Sequence, residues 1–173
     1  STTIFEGAAT SDPIPVEPYT HALRKTIEFF SEQEHARFRF VTKFTDVDSL
    51  LDANHNHRTE IRFSINTPTV IRSYEHATAS AAKRIEAAAK VASAGYQLGF
   101  IIAPVFLYEN WEEEYKQLLL DLFDALSTSC LSKDLLFEVI SHRYTTTAKN
   151  RILQIYPETS LPMSEEERSF KYG

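Results

Sequence analysis

The sequence predicts an α/β protein built on a parallel sheet, and two observations carry the prediction. Alternating or continuously apolar runs of strand length occur five times, each followed by a stretch with helical spacing. Successive strands joined through a helix must run parallel, with right-handed crossovers. Five such units do not close an eight-stranded barrel, so the sheet is either open or part of a larger barrel.

The first unit opens with Thr2-Thr-Ile-Phe-Glu-Gly-Ala-Ala-Thr-Ser-Asp12, an apolar run that gives way to small residues and then to two hydroxyls and a carboxylate. That transition marks the C-terminal end of a strand, where parallel α/β proteins bind ligands. The proline-rich 13–18 stretch is a connector, since proline does not sit in a central strand. Tyr19, Ala22, Leu23, Thr26, Ile27 and Phe30 recur at helical spacing. The second strand is Arg37 to Phe44, followed by a short helix capped by Asp46 and ended by Asn54-His55-Asn56-His57. Arg58 to Ile65 alternates again and breaks at Asn66-Thr67-Pro68. An alanine-rich helix from Ser80 to Ala94 stops at Gly95, the usual residue past a helix end. Leu98 to Phe106 is continuously apolar, as in a strand buried on both faces. Asn110 and Glu113 resemble a capping box that opens a helix with the stripe Tyr115, Leu118, Leu119, Leu122 and Leu126. Leu135 to Ile140 is the fifth strand, and Ala148 to Ile155 the last helix. From Glu158 the chain reads as a polar loop.

The totals exclude several classes. With 173 residues, 43% hydrophobic and 24% charged, the chain suits one ordinary globular domain. No apolar run approaches the ~18 residues of a membrane span. No signal sequence is visible at the N-terminus; with no initiator methionine and an immediate strand, the chain is expected to be a piece of something longer. A single cysteine, Cys130, excludes an intrachain disulfide or an internal cysteine-ligated cluster and fits a reducing cytoplasm. A net charge of −6 argues against a chain-wide basic surface for nucleic acid. Four glycines assemble neither a phosphate loop nor a dinucleotide fingerprint. Ser11 and Asp12 with a histidine lack the nucleophile elbow of a hydrolase triad. His55 and His57 read as a solvated helix end, Trp111 as packing, and Cys130 as a loop or helix-end thiol.

What remains lies where strands finish: Thr10-Ser11-Asp12, Thr42-Lys43, Ser64 with Asn66, Ala103-Pro104, and Ser141-His142-Arg143-Tyr144. Lys43 stands in a run of strand periodicity, where a cation either meets an anion or snorkels to solvent. His142, Arg143, Lys149 and Arg151 concentrate basic charge, as a solvated helix start or as an anion site.

Taken together, Phe5-Glu-Gly-Ala-Ala-Thr-Ser-Asp12, Arg39-Phe-Val-Thr-Lys-Phe44, Arg62-Phe-Ser-Ile-Asn66 and Leu98-Gly-Phe-Ile-Ile-Ala-Pro104 resemble spore photoproduct lyase, a radical S-adenosylmethionine (AdoMet) enzyme of DNA repair. Tyr74-Glu75-His76, Glu109 to Glu113, His142-Arg143-Tyr144 and Glu165 to Arg168 extend the likeness over nearly the whole chain. The resemblance implies an incomplete (β/α) barrel of the radical AdoMet type, with five of its βα units present. Residues 1–157 would form the partial barrel core and 158–173 a C-terminal loop or tail. It further implies that Ser11, Lys43, Ser64 and Ala103 hold AdoMet, with Lys43 on the methionine carboxylate. The [4Fe–4S] cluster would have its ligands outside this segment, which alone is expected to be inactive. The implied reaction is radical reversal of a thymine dimer in DNA, the spore photoproduct, to two thymines, with cofactor chemistry doing the hard step. His142, Arg143 and Tyr144 would meet the DNA lesion. Ala9 occupies the family's hydrogen-donor cysteine position, and a methyl group has no S–H to give. The alternatives are a non-catalytic α/β binding module and a radical enzyme of the same fold with another substrate.

Overall fold

Five strands, β1 (Thr3–Gly7), β2 (Ala36–Thr42), β3 (Thr59–Ile65), β4 (Gln97–Val105) and β5 (Leu136–Ser141), pair in the order of the sequence, and every pair is parallel. The computed structural model describes residues 1–8, 10–126 and 135–166. An order that never reverses puts each right-handed crossover on the same side of the sheet, unlike a doubly wound fold. The sheet therefore curls into a half-barrel, the incomplete (β/α) barrel expected above. The helices are α1 (Glu17–Thr20), α2 (Ala22–Ser31), α3 (Pro68–Tyr74), α4 (Ala81–Ser93), α5 (Trp111–Ala125) and α6 (Thr146–Ile155). The chain divides into two compact units, Ser1–Ser141 and one that begins at His142. Among the described residues no helix is long and apolar enough to cross a membrane.

Strand alternation decides which side chains meet the helices. Phe38, Phe40, Ile61, Phe63, Ile65, Leu98, Phe100 and Ile102 are buried in one cluster with Leu23 and Ile27 of α2, Ile85 and Ala88 of α4, and Leu118 and Leu122 of α5. Each such burial stabilises by about 1.5–3 kcal/mol. The residues between them, Arg39, Glu60, Arg62, Ser64 and Gly99, lie on the opposite, concave face. β4 was expected to be buried on both faces. Its helix side is, while Ile101 and Ala103 on the concave side are only half-buried.

Several local expectations change. The helix expected from Tyr19 is two helices, broken at His21 (φ 51°), so Tyr19 is 87% exposed and only Leu23 and Ile27 of its stripe are buried in full. The buried Glu17 carboxylate accepts from Leu23 N–H (2.7 Å) and Arg24 N–H (3.1 Å), satisfying the start of α2 from a distance. Asp46 caps nothing: a single 3₁₀ turn, Asp48–Leu50, follows Val47 without a side-chain cap. Asn110 precedes α5 in the left-handed region (φ 65°) and makes no capping bond. The break at Asn66-Thr67-Pro68 starts α3, with Thr67 Oγ1 accepting from Val70 N–H. His55 is buried rather than at a solvated helix end, whereas His57 is exposed. His55 stacks on Tyr96 at 3.9 Å, its Nε2 lies 3.1 Å from Ala94 O, and His57 Nδ1 lies 3.0 Å from Gly95 O. The pair holds the turn where Gly95, at φ +91°, lets the chain leave α4 for β4.

Candidate functional site

The loop after β1 is tied to the end of β2 by one carboxylate. Asp12 accepts from Ile14 N–H (3.1 Å), from the Thr42 hydroxyl (2.9 and 3.0 Å) and from Lys43 N–H (2.8 Å). Asp12 is thus occupied in placing its neighbours. Ser11 is exposed, its N–H donating to Ala8 O at 3.3 Å. Ala9 lies outside the described residues, as do Cys130 and the chain beyond residue 166.

Lys43 emerges at the end of β2 and meets an anion supplied by the protein. Its Nζ is 3.1 Å from Glu75 Oε2, just past α3. The same oxygen accepts from Arg84 Nη2 of α4 at 2.7 Å. Arg84 is fully buried and also donates to Ala79 O (2.9 Å), Thr78 Oγ1 (2.8 Å) and Ser64 O (2.9 Å). Two of the residues singled out in the sequence, Lys43 and Ser64, are therefore joined through Glu75 and Arg84. Neither of these was singled out as a site residue, although Glu75 falls in a stretch that carries the family likeness. Arginine on an alanine-rich helix reads as surface until its carbonyl partners are known.

The end of β4 is held by a second polar knot. Asn66, fully buried, donates from Nδ2 to Pro104 O (2.8 Å) and accepts on Oδ1 from the Tyr115 hydroxyl (2.8 Å) and Thr67 N–H (2.9 Å). Burial pushes the Tyr115 phenol up to about 12, and Tyr108, 2.7 Å from Thr67 Oγ1, is raised for the same first reason. Both therefore remain neutral hydrogen-bonding groups at ordinary pH. This knot fixes the Ala103–Pro104 peptide, which is cis.

The concave face carries an ion ladder that sequence reading missed. Arg39 Nε donates to Glu6 Oε2 (2.6 Å), Arg62 Nη2 pairs with Glu6 Oε1, and Arg62 Nη1 reaches Glu138 Oε2 (3.2 Å). Arg62 spans β1 to β5 because its register partner on β4 is Gly99: a Cβ there would lie 2.8 Å from Arg62 Cγ and 2.6 Å from Glu60 Oε1. Burial lowers the Arg62 pKa, opposed by Glu138. The available signal was charge at alternate positions in β2 and β3, with a glycine in register.

His142, Arg143 and Tyr144 belong to the second unit. The His142 and Tyr144 rings are 5.5 Å apart, Tyr144 Oη donates to Ser164 O (2.8 Å), and Arg143 is exposed. Burial pulls the His142 pKa down, opposed by a backbone hydrogen bond at Pro162. Lys149, in the basic segment, pairs with Glu165 at 2.9 Å. Among the described residues no group of three or more His, Cys, Asp or Glu side chains is placed to hold a metal ion.

A curled sheet of consecutive parallel strands joined through helices defines a partial (β/α) barrel, with Lys43 at the end of one of its strands. The chain belongs to the spore photoproduct lyase family, whose sequence profile matches residues 1–173. It is 56% identical over 171 residues to the spore photoproduct lyase of Clostridium acetobutylicum and 48% identical to that of Bacillus subtilis, covering 99% of this chain and 50% of each relative. The chain thus spans about half the length of these curated relatives. Among solved structures, a mutant spore photoproduct lyase with bound AdoMet and dinucleoside spore photoproduct superposes with a TM-score of 0.91 at 48% identity, covering 100% of this chain and 51% of that one. A complex of the lyase with dinucleoside spore photoproduct gives 0.91 at 47% identity with the same coverage.

Proposed function

We propose that this chain is the barrel segment of a spore photoproduct lyase, binding AdoMet at the strand-end rim and contributing to reversal of the spore photoproduct in DNA to two thymines. The observation that carries the reading is Lys43: a partly exposed ammonium paired with Glu75 at a strand end whose backbone N–H is held by Asp12, in a chain 48% identical to a lyase structure holding AdoMet and the lesion. The residues fit the cofactor's methionine and adenosine ends in kind. Lys43 offers a cation for a carboxylate, Ser11 and Ser64 offer hydroxyls, and Ala103 offers a small surface on the concave side. When bound, AdoMet is the source of the radical that takes hydrogen from the lesion. The residues do not fit a [4Fe–4S] cluster, since Cys130 is the single cysteine of the chain; the cluster ligands are assigned outside this segment, which by itself is expected to be inactive.

His142, Arg143 and Tyr144 are assigned to the lesion, as a cation and two ring faces for phosphate and extruded base. A DNA substrate and a single cysteine fit a reducing cytoplasm. The test is AdoMet binding by calorimetry on the full-length protein, purified without oxygen. A charge-assisted hydrogen bond contributes about 1.5–3 kcal/mol, so Lys43→Ala should weaken binding roughly 10- to 100-fold. Unchanged affinity removes the cofactor from this rim. Arg143→Ala should weaken binding to lesion-bearing DNA while AdoMet affinity holds, and unaltered lesion binding refutes that assignment.

A further inference from the structure

We infer that Glu75, backed by Arg84, is a positioning residue that holds the Lys43 ammonium in its ligand-ready place; this rests on the AdoMet reading above. The three groups form a line from core to rim. Arg84 is 0% exposed, Glu75 7% and Lys43 36%. Arg84 is anchored at its far end by two backbone carbonyls, Ala79 O and Ser64 O, so its guanidinium is fixed by the loop before α4 and by β3. Glu75 in turn is fixed by Arg84. Lys43, whose flexible stem would otherwise sample many rotamers, is the last member and the one in reach of a ligand.

Two features separate this from an ordinary structural ion pair. Glu75 Oε2 accepts from both Arg84 and Lys43, while the buried Oε1 has no hydrogen-bond partner among the described residues. An unsatisfied buried oxygen is unfavourable, and it is tolerated where the group has another task. The charges also suit an anionic ligand. Along the Arg84–Glu75–Lys43 line two cations face one carboxylate, so Glu75 orients Lys43 without by itself cancelling the positive charge, while the Asp12 carboxylate is held by the Thr42 hydroxyl and the Lys43 N–H. An ammonium has three N–H donors, and Glu75 engages one direction of them, leaving others for the ligand's carboxylate. With the rotamer already ordered, the ligand does not have to order it on binding.

The test is a double-mutant cycle on AdoMet affinity, by calorimetry on the full-length anaerobic protein, with thermal melting to confirm that each variant is folded. Glu75→Gln in the native background should weaken AdoMet binding about tenfold, equivalent to about 1.4 kcal/mol. In a Lys43→Ala background the same substitution should change affinity by less than about twofold, because a residue that acts through Lys43 has nothing left to position. Glu75→Asp keeps the charge opposite Arg84, should weaken binding by a smaller factor, and carries the cycle if Glu75→Gln does not fold. Equal losses in both backgrounds would mean a general structural role and overturn the inference, as would no loss in the native background. If Lys43→Ala alone leaves AdoMet affinity intact, it is the AdoMet reading that fails, and the inference falls with it.

Discussion

Glu60 shows how much one residue on the concave face is decided by burial. Its carboxyl pKa is raised, first by desolvation, with Arg39 and Arg37 of β2 pulling the other way. Oε1 is buried and has no hydrogen-bond partner among the described residues. A carboxyl whose pKa is higher folded than unfolded favours folding when protonated. That contribution is complete below the unfolded value and is lost as pH rises through the folded one. At neutral pH the charge of Glu60 therefore works against the fold. Glu60→Gln keeps the shape and removes the charge. It should raise the urea midpoint at about pH 7, and the advantage over the native chain should shrink as pH falls through the carboxylate range. A variant less stable than the native chain at neutral pH would show that the two arginines outweigh burial.

At the scale of elements, the register between β3 and β4 places Arg62 beside Gly99, so that the arginine stem lies where a side chain would be. Gly99→Ala would put a methyl 2.8 Å from Arg62 Cγ, a stem atom that cannot swing aside without taking the guanidinium from Glu6 and Glu138. Overpacking of this kind destabilises by about 1–3 kcal/mol, which equilibrium denaturation would read as a lower midpoint at unchanged slope. An unchanged midpoint would mean that the ladder adds nothing to the sheet. The five strands were legible in the sequence because period-2 and continuously apolar runs are local signals. Ser80 and Gly95 were legible as helix punctuation for the same reason. The Arg62 ladder, the Arg84 anchor and the Asn66 knot were not, since each joins residues brought together only by the sheet. His55 misled for a related reason: in sequence it is polar and adjacent to a loop, and its acceptor is 39 residues away at Ala94. Of the candidate site, strand-end position alone exposed Lys43, whereas its counter-ion Glu75 required the third dimension.

At the scale of the first compact unit, consecutive strand order makes β1 and β5 the outermost strands of the sheet among the described residues. Both carry exposed apolar side chains: Ile4 at 53% and Phe5 at 49% on β1, Leu136 at 49% and Val139 at 64% on β5. A flat edge of β-branched and aromatic residues is a template for another strand, and natural edges are defended by charge, above all by lysine. β1 lacks lysine, and its one charge, Glu6, is engaged by Arg39 and Arg62 on the concave face. The 173-residue chain should therefore associate with itself in a concentration-dependent manner, visible in a light-scattering dilution series. The double substitution Ile4→Lys and Val139→Lys places a charge on each edge outside the buried cluster. It should shift association to higher concentration by about tenfold or more, because inserting a strand beside a lysine brings its charge against an apolar neighbour. If association persists at the same concentration, the edges are not its cause. The exposed apolar face of α5, with Leu120 and Phe123, then becomes the surface through which copies meet.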